Sequence, residues 1–207
     1  MEEKRLTENE SIEIITSMIN RTKDRYIGSG NIMLMWGYLV VAVTIFVWVM
    51  IDTTHNPLWN WLWFMIPVIG GIATPLMARK EKRERGVTTY SDMISSRLWT
   101  MFGLSEAVLI LVCLVAQLGF GVNSWISMMV YSFIVAAFAE IVQGIIVKEN
   151  SLVVGGSLGL FLGMITLCSA IGNIPLYADI FLPIFMLGFV VMMIIPGHVL
   201  NYKAKHK

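Results

Sequence analysis

Six runs of about twenty residues in this chain are almost wholly apolar, and few folds can hold them. They are Ile32–Ile51, Leu58–Ala78, Arg97–Gly119, Ser124–Val147, Ser151–Ile171 and Tyr177–Leu200. At about 1.5 Å of rise per residue, each covers the ~30 Å hydrocarbon core of a bilayer as a helix. A helix also satisfies every backbone polar group in that solvent. Composition agrees: 57% of residues are hydrophobic before 17 glycines are added, and 14% are charged. A soluble domain is about 45–50% apolar and about 25% charged. A net charge of +1 excludes a basic nucleic-acid-binding domain, and 2 cysteines in 207 residues exclude a disulfide scaffold. The expected fold is therefore all-α and polytopic, six transmembrane helices in three hairpins. Residues 1–30 are expected as an amphipathic interfacial helix with a Gly-Ser-Gly hinge, 31–202 as the transmembrane domain, and 203–207 as a basic tail.

Charge sets the expected orientation. All 15 Lys and Arg fall before the first run, between the second and third or at the opening residue of the third (Arg97), after the fourth, or after the sixth. The connectors Asp52–Pro57, Phe120–Asn123 and Gly172–Leu176 carry none. The positive-inside rule then places both termini in the cytoplasm. Trp48, Trp59, Trp61, Trp63 and Trp125 gather at the outer boundary as interfacial anchors, with Tyr90, Trp99 and Tyr202 at the inner one. The first thirty residues are polar, so no cleavable signal peptide is expected there. Thr7 and Glu10 fit a capping box, and Ile12, Ile15, Ile19 and Tyr26 form a stripe extended by Met18. That helix is expected to lie in the inner interface near anionic headgroups, or to dock on the cytoplasmic loops.

Two carboxylates interrupt the apolar runs, Glu106 in the third and Glu140 in the fourth. Each lies some seven or eight residues inside its cytoplasmic boundary, hence at one depth of about 11–12 Å. Glu106 shares a stripe with Gly103, Ile110, Cys113 and Gln117. Glu140 shares one with Ala136, Ala137, Gln143 and Gly144. Such small and polar faces meet other helices or cavities, not lipid. No Lys or Arg lies at that depth, so at least one carboxyl is expected to carry its proton. Glu106, Glu140, Gln143 and Gln117 are thus candidates for a cavity or proton relay; the alternative is a structural clasp between helices.

Gly155, Gly159 and Gly163 are four apart and predict close helix packing, within the chain or against a second copy. Gly37 and Gly103 stand at the starts of the other two hairpins. Pro67, Pro75, Pro183 and Pro196 predict kinks. Cys113 and Cys168 read as small core residues, and the three histidines lack metal-binding spacing, so no catalytic residue, metal or cofactor is expected. Asp179 suits the start of the sixth helix, and His198 is an interfacial polar residue. The basic run Arg79–Arg85 mixes signs and reads as lipid-facing.

Gly28-Ser29-Gly30-Asn31 followed by Trp36-Gly37-Tyr38-Leu39 resembles the opening of small bacterial six-helix integral membrane proteins of no assigned activity. The resemblance implies the layout and a bacterial inner membrane, and transfers no site residue. An interfacial helix leading into six spans is also similar to the permease subunits of ATP-driven exporters, but no permease motif matches here residue by residue. The working expectation is binding or passage of a small solute, ion or lipid through a bundle cavity. The alternative is a non-transporting partner or sensor for a cytoplasmic protein. Expected partners are membrane lipids, with a homo-oligomer or a cytoplasmic protein left open; nucleic acid is not expected.

Overall fold

A computed structural model of the chain describes residues 7, 12–14, 16, 30–85, 90–172 and 174–206. Residues 15, 18, 19 and 26 of the N-terminal stripe, and Glu10, lie outside them. The described part is helical: α1 (Asn31–Thr54), a 3-10 helix (Pro57–Phe64), α2 (Met65–Arg85), α3 (Tyr90–Phe120), α4 (Trp125–Val147) and α5 (Asn150–Ile171). The sixth span is composite, with α6 (Ala178–Phe189), a π-helical turn (Val190–Ile194) and α7 (Ile195–Lys205). Among the described residues, six helices are long and apolar enough to cross a membrane. Each follows its apolar run to within a few residues, except where charged residues extend it. Residues 79–85 and 90–96, expected as part of a connector, are helical. Lys, Glu and Arg are good helix formers, and opposite charges four apart, such as Lys80 and Glu84, support that extension.

Terminal residues explain where the helices stop. Asn56 accepts from the Leu58 N–H (3.0 Å) ahead of Pro57, which opens the 3-10 helix. Pro67 then sits in the first turn of α2, directly after the 3-10 helix, a helix-start position that proline tolerates. Lys148 closes α4 in the left-handed region (φ 56°), and Glu149 N–H bonds Gly144 O at 2.9 Å, a Schellman-type reversal. Two residues therefore suffice to turn α4 into α5.

The helices pack in the row α2, α1, sixth span, α5, α4, α3, and the π turn also touches α1 and α4. The row curls at the end away from the basic residues, where Trp125 of α4 meets Trp61 and Phe64 of the 3-10 helix, each with ring centroids 5.6 Å apart. The core is built from Phe133 of α4 with Phe181, Phe185 and Phe189 of α6, joined by Met192, Met193 and Val40. Burial is uneven: 44% of the sixth span's apolar window is buried and 39% of α4's, but only 6% of each of the second and third spans'. α2 and α3 are the flanks.

Candidate functional site

Where α3 meets α4, Ser132 donates to Glu106 Oε2 at 2.6 Å. That bond fixes the register of the hairpin. Ser132 precedes Glu140 by eight residues, about 12 Å along a helix. The two carboxyls are therefore not at one depth. Neither oxygen of Glu140 has a hydrogen-bond partner among the described residues, so no bond joins it to Glu106. Glu106 and Glu140, expected at one depth, are therefore two separate acids. Depth measured from Arg97 misled because α3 begins at Tyr90, and a long basic side chain can snorkel from inside the boundary.

Five buried side-chain atoms lack a hydrogen-bond partner among the described residues: Glu106 Oε1, Gln117 Oε1, Glu140 Oε1 and Oε2, and Gln143 Oε1. All five are acceptor oxygens, and all lie on α3 or α4. Gln117 follows Glu106 by eleven residues, and Gln143 follows Ser132 by eleven; eleven residues return a helix to nearly the same face. Because α3 and α4 run in opposite directions, Gln117 and Gln143 lie about 16 Å to either side of the Glu106–Ser132 bond. The oxygens span about 33 Å, close to the thickness of a hydrocarbon core.

Glu140 is fully buried, 0% exposed, in the wedge between α4, α5 and the sixth span. Three glycines allow that wedge. A Cβ on Gly156 would meet Ala137 O and Ile141 N at 2.9 Å, so α5 lies against the α4 turn that carries Glu140. A Cβ on Gly155 would meet Val191 O at 2.6 Å, so the same turn of α5 lies against the π turn. Gly159 faces both Met192 and Ala137. Phe133 lies against Gly188, and Glu140, seven residues beyond Phe133, keeps nearly the same face. The sixth span runs parallel to α4, which puts Glu140 opposite the broken turn near Met192–Pro196. The glycines of α5 thus pack within the chain, with Gly163 against Ile134.

The break itself frees a carbonyl. Ile195 N–H bonds Val190 O, five residues back, instead of Val191 O four back. The donor five residues beyond Val191 is Pro196, which has no N–H. Val191 O is left without either helical donor. π turns inside α-helices are frequent at functional sites.

A clasp closes the basic end. Lys203 donates to both oxygens of Glu149 at 2.8 and 2.9 Å, and Ser151 Oγ donates to the same carboxyl at 3.0 Å. Burial works to raise the Glu149 carboxyl, but these bonds and the Lys203 charge outweigh it and hold it below the ordinary value. Gly30 N–H donates to Asn201 Oδ1 (2.7 Å) and Asn201 Nδ2 to Asn31 Oδ1 (2.8 Å). Tyr38 OH and His198 Nε2 are 2.8 Å apart, and Trp36 Nε1 donates to Thr74 Oγ1 at 2.9 Å. The Gly30-Asn31 and Trp36-Gly37-Tyr38 segments singled out in the sequence are therefore the residues that fasten α1 to the sixth span and α2. The clasp was not read from the sequence, although Glu149-Asn150-Ser151 ahead of an apolar run carries an N-cap signal.

Other expected positions fall elsewhere. Gly103 faces open space, and Cys168 is exposed on the outside of α5, unlike the buried Cys113. Among the described residues no three His, Cys, Asp or Glu gather into a metal site. No protein-family model, curated protein or solved structure matches the chain.

Proposed function

We propose that this is an inner-membrane protein, with both termini cytoplasmic, that binds or passes a small solute or ion through a polar path along α3 and α4. The observation carrying the reading is the row of acceptor oxygens Gln117 Oε1, Glu106 Oε1 and Gln143 Oε1, with both oxygens of Glu140 on the α5 side of α4, all buried with no donor among the described residues. Gln117 and Gln143 also carry amide N–H donors, but the oxygens left unpaired are satisfied by something that brings donors or positive charge: water, a proton, a cation or an amine. Intramembrane acids mark such paths because their burial is costly without a use. The orientation rests on the one-sided distribution of Lys and Arg, and anionic lipid headgroups are the natural partners of that basic end.

Reconstitution into liposomes with an imposed pH gradient tests the reading. Vesicles holding the protein dissipate the gradient faster than empty ones, alone or on addition of a small cationic or amine solute. Glu106→Gln and Glu140→Gln, which keep shape and remove titration, lose that flux while remaining folded. Equal rates in parent and Gln variants would reduce both acids to helix clasps.

A further inference from the structure

The fully buried acid and the freed carbonyl occupy the same turn of the bundle. Glu140 lies on the α4 turn against Gly156, and Val191 O points at Gly155, the next residue of α5. No hydrogen-bond donor among the described residues serves either Glu140 oxygen. We propose that Glu140 is a proton-binding site whose occupancy sets the bend of the sixth span through the Val191 carbonyl. This deepens the function proposed above and rests on it for the wet route, past Gln143, by which the proton arrives.

The chemistry is a balanced proton exchange. The protonated acid has one O–H to give, and Val191 O has lost both helical donors; on protonation the acid turns to that carbonyl, and the new bond favours the open π turn. When the proton leaves to water, a carboxylate faces a carbonyl oxygen, and two negative ends repel strongly in a poorly polarisable interior. The π turn has a ready alternative. Val191 O can take the Ile195 N–H now given to Val190 O, which closes the turn to α-helical form. Losing the one-residue bulge re-registers α7 against α6, and α7 carries Gly197, His198, Asn201 and Lys203, the residues of the basic-end clasp. Loss of the proton therefore loosens the basic end.

Other titratable groups near this wedge are few. α3 brings Glu106, bonded to Ser132, and Cys113. α1 brings Tyr38 and the sixth span His198, bonded to each other. Glu149 and Lys203 are paired at the basic end, and the α5 face at this turn is glycine.

The test uses the full chain in lipid nanodiscs. Infrared spectra follow the C=O stretch of a protonated carboxylic acid against pH, and spin labels at positions 80 and 202, in a background free of Cys113 and Cys168, report the distance from α2 to α7. The acid band assigned by its loss in Glu140→Gln should titrate with the same midpoint as a change of several ångströms in that distance. Glu140→Gln should abolish both. Pro196→Ala restores the missing N–H, leaves Glu140 in place, and should diminish the distance change; it carries the test if Glu140→Gln does not insert. A distance independent of pH in the parent protein, or a change that persists in Glu140→Gln, overturns the proposal. Flux into vesicles without this co-titration would remove the switch and leave the passage reading; co-titration without flux would do the reverse.

Discussion

Glu149 is nearly buried, at 7% side-chain exposure, whereas its partner Lys203 is 46% exposed. Breaking this pair from the lysine side strands a carboxylate. Lys203→Met should lower stability by about 1–2 kcal/mol, the solvent access of the lysine tempering the loss, read as a lower thermal midpoint in mild detergent. The pair also carries a pH signature. The carboxyl is held below its ordinary value of 4.5, so its contribution is full above that value and is lost as pH falls through the depressed one. Thermal midpoints should therefore drop on acidification below about pH 4.5 in the parent and less in Glu149→Gln. Glycines sort by the same local logic. Gly155→Ala drives a Cβ to 2.6 Å from Val191 O, a backbone atom, and must displace the sixth span; Gly103→Ala meets nothing within 4 Å. The first should be strongly destabilising, and the second neutral or slightly stabilising by up to about 1 kcal/mol through helix propensity.

At the scale of elements, the six spans were legible because each is one long, almost wholly apolar run, and length with that composition decides that it can cross. The contacts between spans were not. Small residues at helical spacing marked Gly155, Gly159 and Gly163 as packing positions, yet the same signal at Gly103 faces open space, since spacing does not reveal which helix stands opposite. Pro196 announced a disturbance, but a kink and a π turn share that signature; the difference lies in which carbonyl Ile195 N–H reaches. Ser132, the partner of Glu106, is small and lies in an apolar span, and nothing in its neighbours set it apart. Asn201 joins α7 to the start of α1 by two hydrogen bonds. Asn201→Ala removes both and should cost about 1–2 kcal/mol, read as increased thiol reactivity of a cysteine introduced at Leu34 beside Gly197.

For the whole molecule, sidedness follows from cysteines placed at exposed helix ends and connectors. Those at 54, 122 and 174 should react with an impermeant reagent from outside intact cells, and those at 83 and 205 only after the membrane is opened; outside labelling at 83 would invert the molecule. The central claim is that the oxygens of α3 and α4 line a route that water can enter. Substituted cysteines test it most directly. In a background free of Cys113 and Cys168, Gln117→Cys, Ser132→Cys and Gln143→Cys should react with a small cationic thiol reagent delivered from water. Val108→Cys and Ile145→Cys, on exposed apolar faces of the same two helices, should not. Reaction at 117, 132 and 143 well above that at 108 and 145 is the expected result; reactivity no greater at the oxygen-bearing positions than at those two would contradict it.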